Sequence, residues 1–181
     1  AEVLEAAIQV GRASGGAFDI GLGEVVDAWG FGPSQKQSTE AMRAQAGKPA
    51  VTGFAHLELD RAGQRVRKLG PVRLDLSGIA KGYGVDRLAQ CLERWNIVDY
   101  LVGIDGEMRA RGNKPDGGAW SVAIEKPTYG VREVAGVMEL VDSAMATSGD
   151  YRRWIDVGGK RYSHTMNPAS RRPVENDLAS V

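Results

Sequence analysis

Apolar and polar positions alternate in two distinct rhythms along this chain. Residues 2–13 place Val3, Leu4, Ala7 and Ile8 on one face at helical spacing, and Gly15-Gly16 stops the run. A second short helix is predicted over residues 23–29. Residues 30–53 are polar and rich in Gly, Ser, Gln and Ala, which predicts a surface segment with a helix around residues 39–46. Two strands follow, at 54–60 and 66–69, joined by an Arg61-Ala62-Gly63 turn. Leu74-Asp75-Leu76 closes another extended piece, and the glycine-containing residues 77–84 lead into the clearest helix. Its apolar positions Val85, Leu88, Leu92 and Trp95 step by three or four. Beyond it the rhythm turns to β, with strands expected at 100–104, 120–124 and 134–141 and shorter ones around 151–157 and 161–163. Asp105-Gly106 and Gly158-Gly159 have the composition of hairpin turns. Helices first and many antiparallel-looking strands later point to an α+β fold with one core, and no internal repeat breaks the pattern.

Composition narrows the function classes. The 181 residues are 43% hydrophobic and 25% charged, as in an ordinary soluble globular domain. Lys plus Arg (23) balances Asp plus Glu (23), so no basic surplus points to nucleic acid or an acidic membrane surface. A single cysteine, Cys91, excludes an internal disulfide and a cysteine-rich zinc site. No apolar run is long enough to span a membrane.

Three segments carry candidate chemistry. Asp75-Leu76-Ser77-Gly78-Ile79-Ala80-Lys81-Gly82-Tyr83 joins a strand end to a helix start, where backbone N–H groups face an anion and Lys81 adds a charge. The same glycines also fit a plain tight connection, and the segment lacks the Gly-Lys-Ser/Thr of a P-loop. Thr147-Ser148-Gly149-Asp150-Tyr151-Arg152-Arg153 presents hydroxyls and guanidiniums suited to phosphate or ribose, or else a turn with solvated arginines. Ser163-His164-Thr165-Met166-Asn167-Pro168 sets a histidine before an Asn-Pro turn, for a ligand or for structure. Asp19 and Glu107 are scattered carboxylates that serve equally well as caps or turn residues.

Five segments in order resemble the ApbE family of FAD:protein FMN transferases. They are Gly15-Gly16-Ala17-Phe18-Asp19, Trp29-Gly30-Phe31-Gly32-Pro33, the Asp75–Tyr83 motif, Thr147-Ser148-Gly149-Asp150-Tyr151-Arg152-Arg153, and Ser163-His164 with Pro168 and Pro173. The resemblance implies an ApbE-like, T-fold-like α+β domain. It implies that FAD is split at its pyrophosphate, FMN passes to a threonine hydroxyl of a target protein, and AMP leaves. Mg²⁺ assists, and the partner is a flavin-accepting protein such as a subunit of a membrane redox complex.

By motif, Ala17, Phe18 and Asp19 resemble an FAD-contacting turn. Asp75 and Lys81 match FAD-contacting positions, and Gly78 matches the position whose carbonyl binds magnesium. Met166 matches a position whose backbone meets flavin. His164 matches a histidine near the cofactor, a candidate for orienting phosphate, and is the catalytic candidate. Thr147, Ser148 and Gly149 are expected in the same pocket.

Asn167 stands where the family usually has Asp, Ser170-Arg171 where it has Thr-Gly, and Asp105 where glycine is common. Residues 1–181 are expected to be the central part of one family domain. The family's N-terminal segment and its C-terminal, metal-completing segment are expected to be absent. Two alternatives share this site: a non-catalytic flavin- or nucleotide-binding module, and an FAD pyrophosphatase giving FMN and AMP. A periplasmic or inner-membrane-anchored location is a further implication of the resemblance.

Overall fold

A computed structural model of the chain describes residues 2–33, 38–48 and 52–181. The described residues form four α-helices: α1 (Glu2–Ala13), α2 (Gly23–Ala28), α3 (Glu40–Ala46) and α4 (Ser77–Arg94). Short 3₁₀ turns lie at Ile20–Leu22 and Gly53–His56. The strands are β1 (Leu57–Asp60), β2 (Arg65–Lys68), β3 (Tyr100–Ile104), β4 (Glu107–Arg111), β5 (Trp120–Glu125), β6 (Val134–Leu140), β7 (Ala144–Met145), β8 (Trp154–Val157), β9 (Lys160–Ser163), β10 (Met166–Asn167) and β11 (Arg172–Pro173). Every strand pairing is antiparallel, so the fold is α+β as expected. The chain divides into two compact units, one of Ala1–Gly78 with Arg153–Asp177, the other of Ile79–Arg152 with Leu178–Val181.

In the first unit, α1 carries Glu2 and Glu5 in its first turn and Arg12 in its last, the charge order its macrodipole favours. It buries Ala7, Ile8 and Gly11. Helix α2 ends in a Schellman motif. The Phe31 N–H donates to the Val26 carbonyl and the Gly30 N–H to that of Asp27, both at 3.0 Å. Gly30 takes the positive φ of 81° that this closure requires. Thr39 caps α3, its hydroxyl accepting from the Met42 N–H at 3.2 Å. Leu22, Val25, Ala28, Trp29, Phe31 and Ala46 form the core, and Val26, Met42, Ile155, Tyr162 and Met166 pack against it. The β8–β9 hairpin reaches this core through the Tyr162 ring, 5.0 Å from that of Trp29.

In the second unit, β3, β4 and β7 make a three-stranded sheet and β5 pairs with β6. The β3–β4 turn is the expected Asp105-Gly106 dipeptide, with φ of 49° and 101°, the signature of a type I′ hairpin. Tyr100, Ala110, Leu140, Val85 and Ala89 are buried.

Three expectations are corrected here. Helix α4 starts at Ser77, so Gly78, Gly82 and Gly84 lie inside it instead of forming a separate lead-in. A Cβ on Gly78 or Gly84 would press on Phe18 or Ile104, at 3.0 and 2.8 Å respectively. Close packing at these two positions therefore accounts for residues that lower helix propensity. The buried stripe of α4 is also rotated from the one the spacing predicts. It holds Val85 and Ala89, while Leu88 is 44% and Trp95 77% exposed. Strand β4 was not anticipated, and the expected strand at 54–60 opens with a 3₁₀ turn before β1. Parts of the expected polar surface segment, residues 34–37 and 49–51, lie outside the described residues.

Candidate functional site

Asp19 folds the early turn. Its Oδ1 accepts from the Gly21 N–H at 2.8 Å and its Oδ2 from the Gly53 N–H at 2.6 Å, tying together segments 34 residues apart. Gly21 and Gly53 approach so closely that a Cβ on Gly53 would stand 2.7 Å from the Gly21 nitrogen. The residues leading to α4 run beside the 3₁₀ turn. The Asp75 N–H donates to the Ile20 carbonyl at 2.7 Å, and the Gly23 N–H to that of Arg73 at 3.0 Å. The Asp75 Oδ1 then accepts from the Ser77 N–H at 2.7 Å and caps α4. Phe18 lies against Gly78, where a Cβ would meet its ring at 3.0 Å. Phe18, Asp19, Asp75 and Gly78, four of the expected site residues, are thus assembled around the start of α4, with Ala17 exposed next to them. Unpaired N–H groups of a first helical turn and the positive end of the helix dipole favour an anion there.

His164 belongs to the same unit. Its Nδ1 lies 3.1 Å from the Arg153 carbonyl oxygen, and its ring sits edge-on to Phe31 with centroids 6.1 Å apart. A carbonyl can only accept, so this contact selects the tautomer protonated at Nδ1 and leaves the ring's basic lone pair on Nε2. Arg153 is fixed in turn, its guanidinium donating to the Phe31 carbonyl at 3.1 Å. Met166, paired with Pro173 across β10–β11, turns its side chain to the core.

The remaining expected residues lie in the second unit. Lys81 does not stand as an open charge: its Nζ is 2.9 Å from Glu107 Oε1 and 3.6 Å from Asp105 Oδ2. Thr147 and Ser148 are exposed. The Ser148 and Val181 backbones exchange hydrogen bonds at 2.9 and 2.8 Å, and Gly149 bridges to Ser180. The motif's arginines are exposed, as a turn predicts, and each also holds a partner. Arg152 pairs with Glu125 through both carboxylate oxygens, and Arg153 holds the Phe31 carbonyl. The residue that sequence reasoning undervalued is Glu107. Its place directly after the hairpin dipeptide was legible, but its partner 26 positions earlier was not.

Electrostatic shifts gather on the α4–sheet contact of this unit. The Tyr100 hydroxyl, 2.8 Å from Glu93, and then Arg111 hold the Glu93 carboxyl below its usual range. Burial, followed by the same hydrogen bond, pushes the Tyr100 phenol up. A groove of about 690 Å³ lies elsewhere, along α1 and the β1–β2 hairpin, and is lined by none of the candidate residues. Among the described residues no three Asp, Glu, His or Cys side chains cluster as a metal site requires. No helix among them is long and apolar enough to cross a membrane.

Comparison with known proteins supplies the context. The chain is 40% identical over 186 residues to an FAD:protein FMN transferase of Haemophilus influenzae, covering 100% of this chain and 54% of that protein. It superposes on the flavin transferase ApbE of Vibrio cholerae with a TM-score of 0.80 at 39% identity, covering 99% of this chain and 57% of that one. With the ApbE protein of Thermotoga maritima the TM-score is 0.83 at 30% identity, over 99% and 58% of the two chains. The chain spans about half the length of the curated relatives it matches. The sequence model of the ApbE family matches residues 1–181, so a turn pinned by Asp19, a helix capped by Asp75 and a histidine with a selected tautomer occur here in a chain that belongs to the ApbE family.

Proposed function

We propose that the protein carrying this sequence is an FAD:protein FMN transferase, moving FMN from FAD to a threonine hydroxyl of a target protein and releasing AMP. Likeness to relatives of that name along the whole chain supports the reading. The observation within the chain that carries it is the anchoring of His164 through Nδ1 to the Arg153 carbonyl. A neutral hydroxyl is a weak nucleophile and needs a proton acceptor of moderate basicity. With Nδ1 committed to a carbonyl, Nε2 takes the threonine proton as the oxygen attacks phosphorus on the FMN side. The P–O–P bond breaks, and AMP leaves with the bridging oxygen. The start of α4, with its Asp75 cap, orients backbone donors toward the phosphates, and the Ala17-Phe18-Asp19 turn borders the same place. Lys81, Thr147, Ser148, Gly149 and the Met166 backbone are assigned further FAD contacts.

A bound Mg²⁺ would supply neutralisation of pyrophosphate charge. The described residues do not by themselves make its site: Gly78 would supply one carbonyl, no cluster of three Asp, Glu, His or Cys side chains stands among them, and hard divalent ions need several oxygen ligands. A flavin-accepting subunit of a membrane redox complex as target, and a periplasmic or inner-membrane-anchored location, complete the proposal.

The test is incubation of the purified protein with FAD, Mg²⁺ and a threonine-bearing target peptide. Flavin fluorescence fixed covalently to the peptide, with AMP released, is the expected result. Free FMN and AMP with unlabelled peptide would establish the hydrolase instead, and intact bound FAD a binding module. His164→Ala should slow transfer by about 10²–10⁴-fold while FAD still binds; an unchanged rate would remove His164 from the chemistry.

A further inference from the structure

Glu107 opens β4 directly after the Asp105-Gly106 turn, whose two positive φ angles set the register that pairs it with Ile104. Its side chain is 15% exposed, and its two oxygens differ in circumstance. Oε1 is the atom 2.9 Å from Lys81 Nζ, while Oε2 is buried and without a hydrogen-bond partner. Asp105, 85% exposed, brings a second carboxylate to 3.6 Å from the same ammonium. Lys81 is therefore one positive charge between two negative ones, and the cluster carries a net charge of −1. A phosphate oxygen approaching this ammonium would also approach both carboxylates, whose repulsion at such range cancels the attraction. What the cluster does offer is an ammonium donor next to a buried acceptor oxygen that lacks a donor. Buried carboxylate oxygens are ordinarily paired, and a ligand N–H or O–H would complete this one.

We propose that Lys81 and Glu107 together form a hydrogen-bonding subsite for an uncharged part of the bound dinucleotide, a sugar hydroxyl or the N–H and acceptor edge of a ring. In this role Glu107 accepts directly from the ligand through Oε2, and through Oε1 it positions Lys81. The pyrophosphate is held elsewhere. This inference rests on the reading that Lys81 touches FAD, and it changes which part of FAD is touched.

The sign of a charge change separates the two possibilities. FAD affinity is measured for the purified protein and for Lys81→Gln, Glu107→Gln and Asp105→Asn, at about 0.05 M and 0.5 M salt, where screening differs strongly. Glu107→Gln removes a negative charge but turns an amide donor or a poorer acceptor toward the ligand. It should weaken FAD binding about fivefold or more at both salt concentrations. Asp105→Asn removes a negative charge next to the same ammonium without touching the buried acceptor, and should leave affinity within about twofold.

Tighter FAD binding by Glu107→Gln or Asp105→Asn would overturn the proposal, because it would mean that Lys81 faces phosphate. Unchanged affinity in Glu107→Gln would overturn it as well. Unchanged affinity in Lys81→Gln would instead remove Lys81 from the FAD site, a failure of the underlying reading.

Riboflavin and adenosine, both free of phosphate, locate the contact. Lys81→Gln should weaken one of them by the same factor as FAD, and which one identifies the half of the dinucleotide. Weakening confined to FMN, AMP and FAD would overturn the proposal. Thermal melts report folding of each variant, and the Lys81→Gln series decides the question if Glu107→Gln does not fold.

Discussion

The first unit closes an apolar core around Val25 and Trp29, which are 0% and 5% exposed. The second leaves Val134 and Val137 at 64% and Trp95 at 77% exposure, and joins its helix to its sheet through polar groups. Asp86 of α4 meets Arg109 at 2.5 Å, and Glu93 meets both Arg111 and the Tyr100 hydroxyl. The difference shows in the candidate residues. In the first unit they are held by backbone hydrogen bonds over packed side chains, as with Asp19 and Asp75. In the second they are exposed or held by other charges, as with Thr147 and Lys81. Burial makes the first unit sensitive to lost volume, and the second should respond to pH and salt.

Trp29 and Trp95 give the sharpest contrast, since the residue type is the same. Trp29→Ala should destabilise the protein by about 3–5 kcal/mol in denaturant unfolding, because it empties the centre of the core and removes the ring that Tyr162 packs on. A loss below about 1 kcal/mol would mean that this core is not what holds the first unit together.

Asp19→Ala should be next, at about 2 kcal/mol, since two backbone N–H groups lose their acceptor together. The effect should be present without flavin. A variant as stable as the parent that loses FAD would assign the carboxylate to the ligand instead of the turn.

Tyr100→Phe probes the polar joint of the second unit and should lower Tm by about 2–4 °C near neutral pH. Its pH dependence has a definite sign. The Tyr100 hydrogen bond holds the Glu93 carboxyl below its ordinary range, so the folded state binds that proton less readily than the unfolded state does. The stabilisation is therefore complete above the ordinary glutamate pKa and is lost as pH falls through the lowered folded-state value. The gap between parent and Tyr100→Phe should close in acid; a gap that widens there would contradict the assignment.

Trp95→Ser should have the smallest effect, within about 0.5 kcal/mol. A larger loss would show that Trp95 is covered in the protein in solution.

Much of the secondary structure was legible because it is set by neighbours in sequence. The apolar spacing of residues 2–13 and Gly15-Gly16 gave α1 and its end, and a helix expected around residues 39–46 matches α3. Asp105-Gly106 gave a hairpin turn because both residues tolerate positive φ. The start of α4 was misplaced since three glycines argue against a helix, and only Phe18 and Ile104, at distant positions, explain two of them. The stripe of α4 failed for a related reason. Spacing shows which residues share a face but does not say which face finds a partner.

The site divides along the same line. The residue types at 15–19, 29–33, 75–83, 147–153 and 163–173, and their order along the chain, were written in the sequence alone and sufficed to point to the family. Tertiary structure alone decided that Asp19 joins Gly21 to Gly53, that the His164 ring is oriented by the Arg153 carbonyl, and that Lys81 is enclosed by Asp105 and Glu107. Local chemistry is fixed by side chains a few positions apart. The charge that a lysine presents depends on carboxylates brought to it by a hairpin more than twenty residues away, and no periodicity encodes that distance.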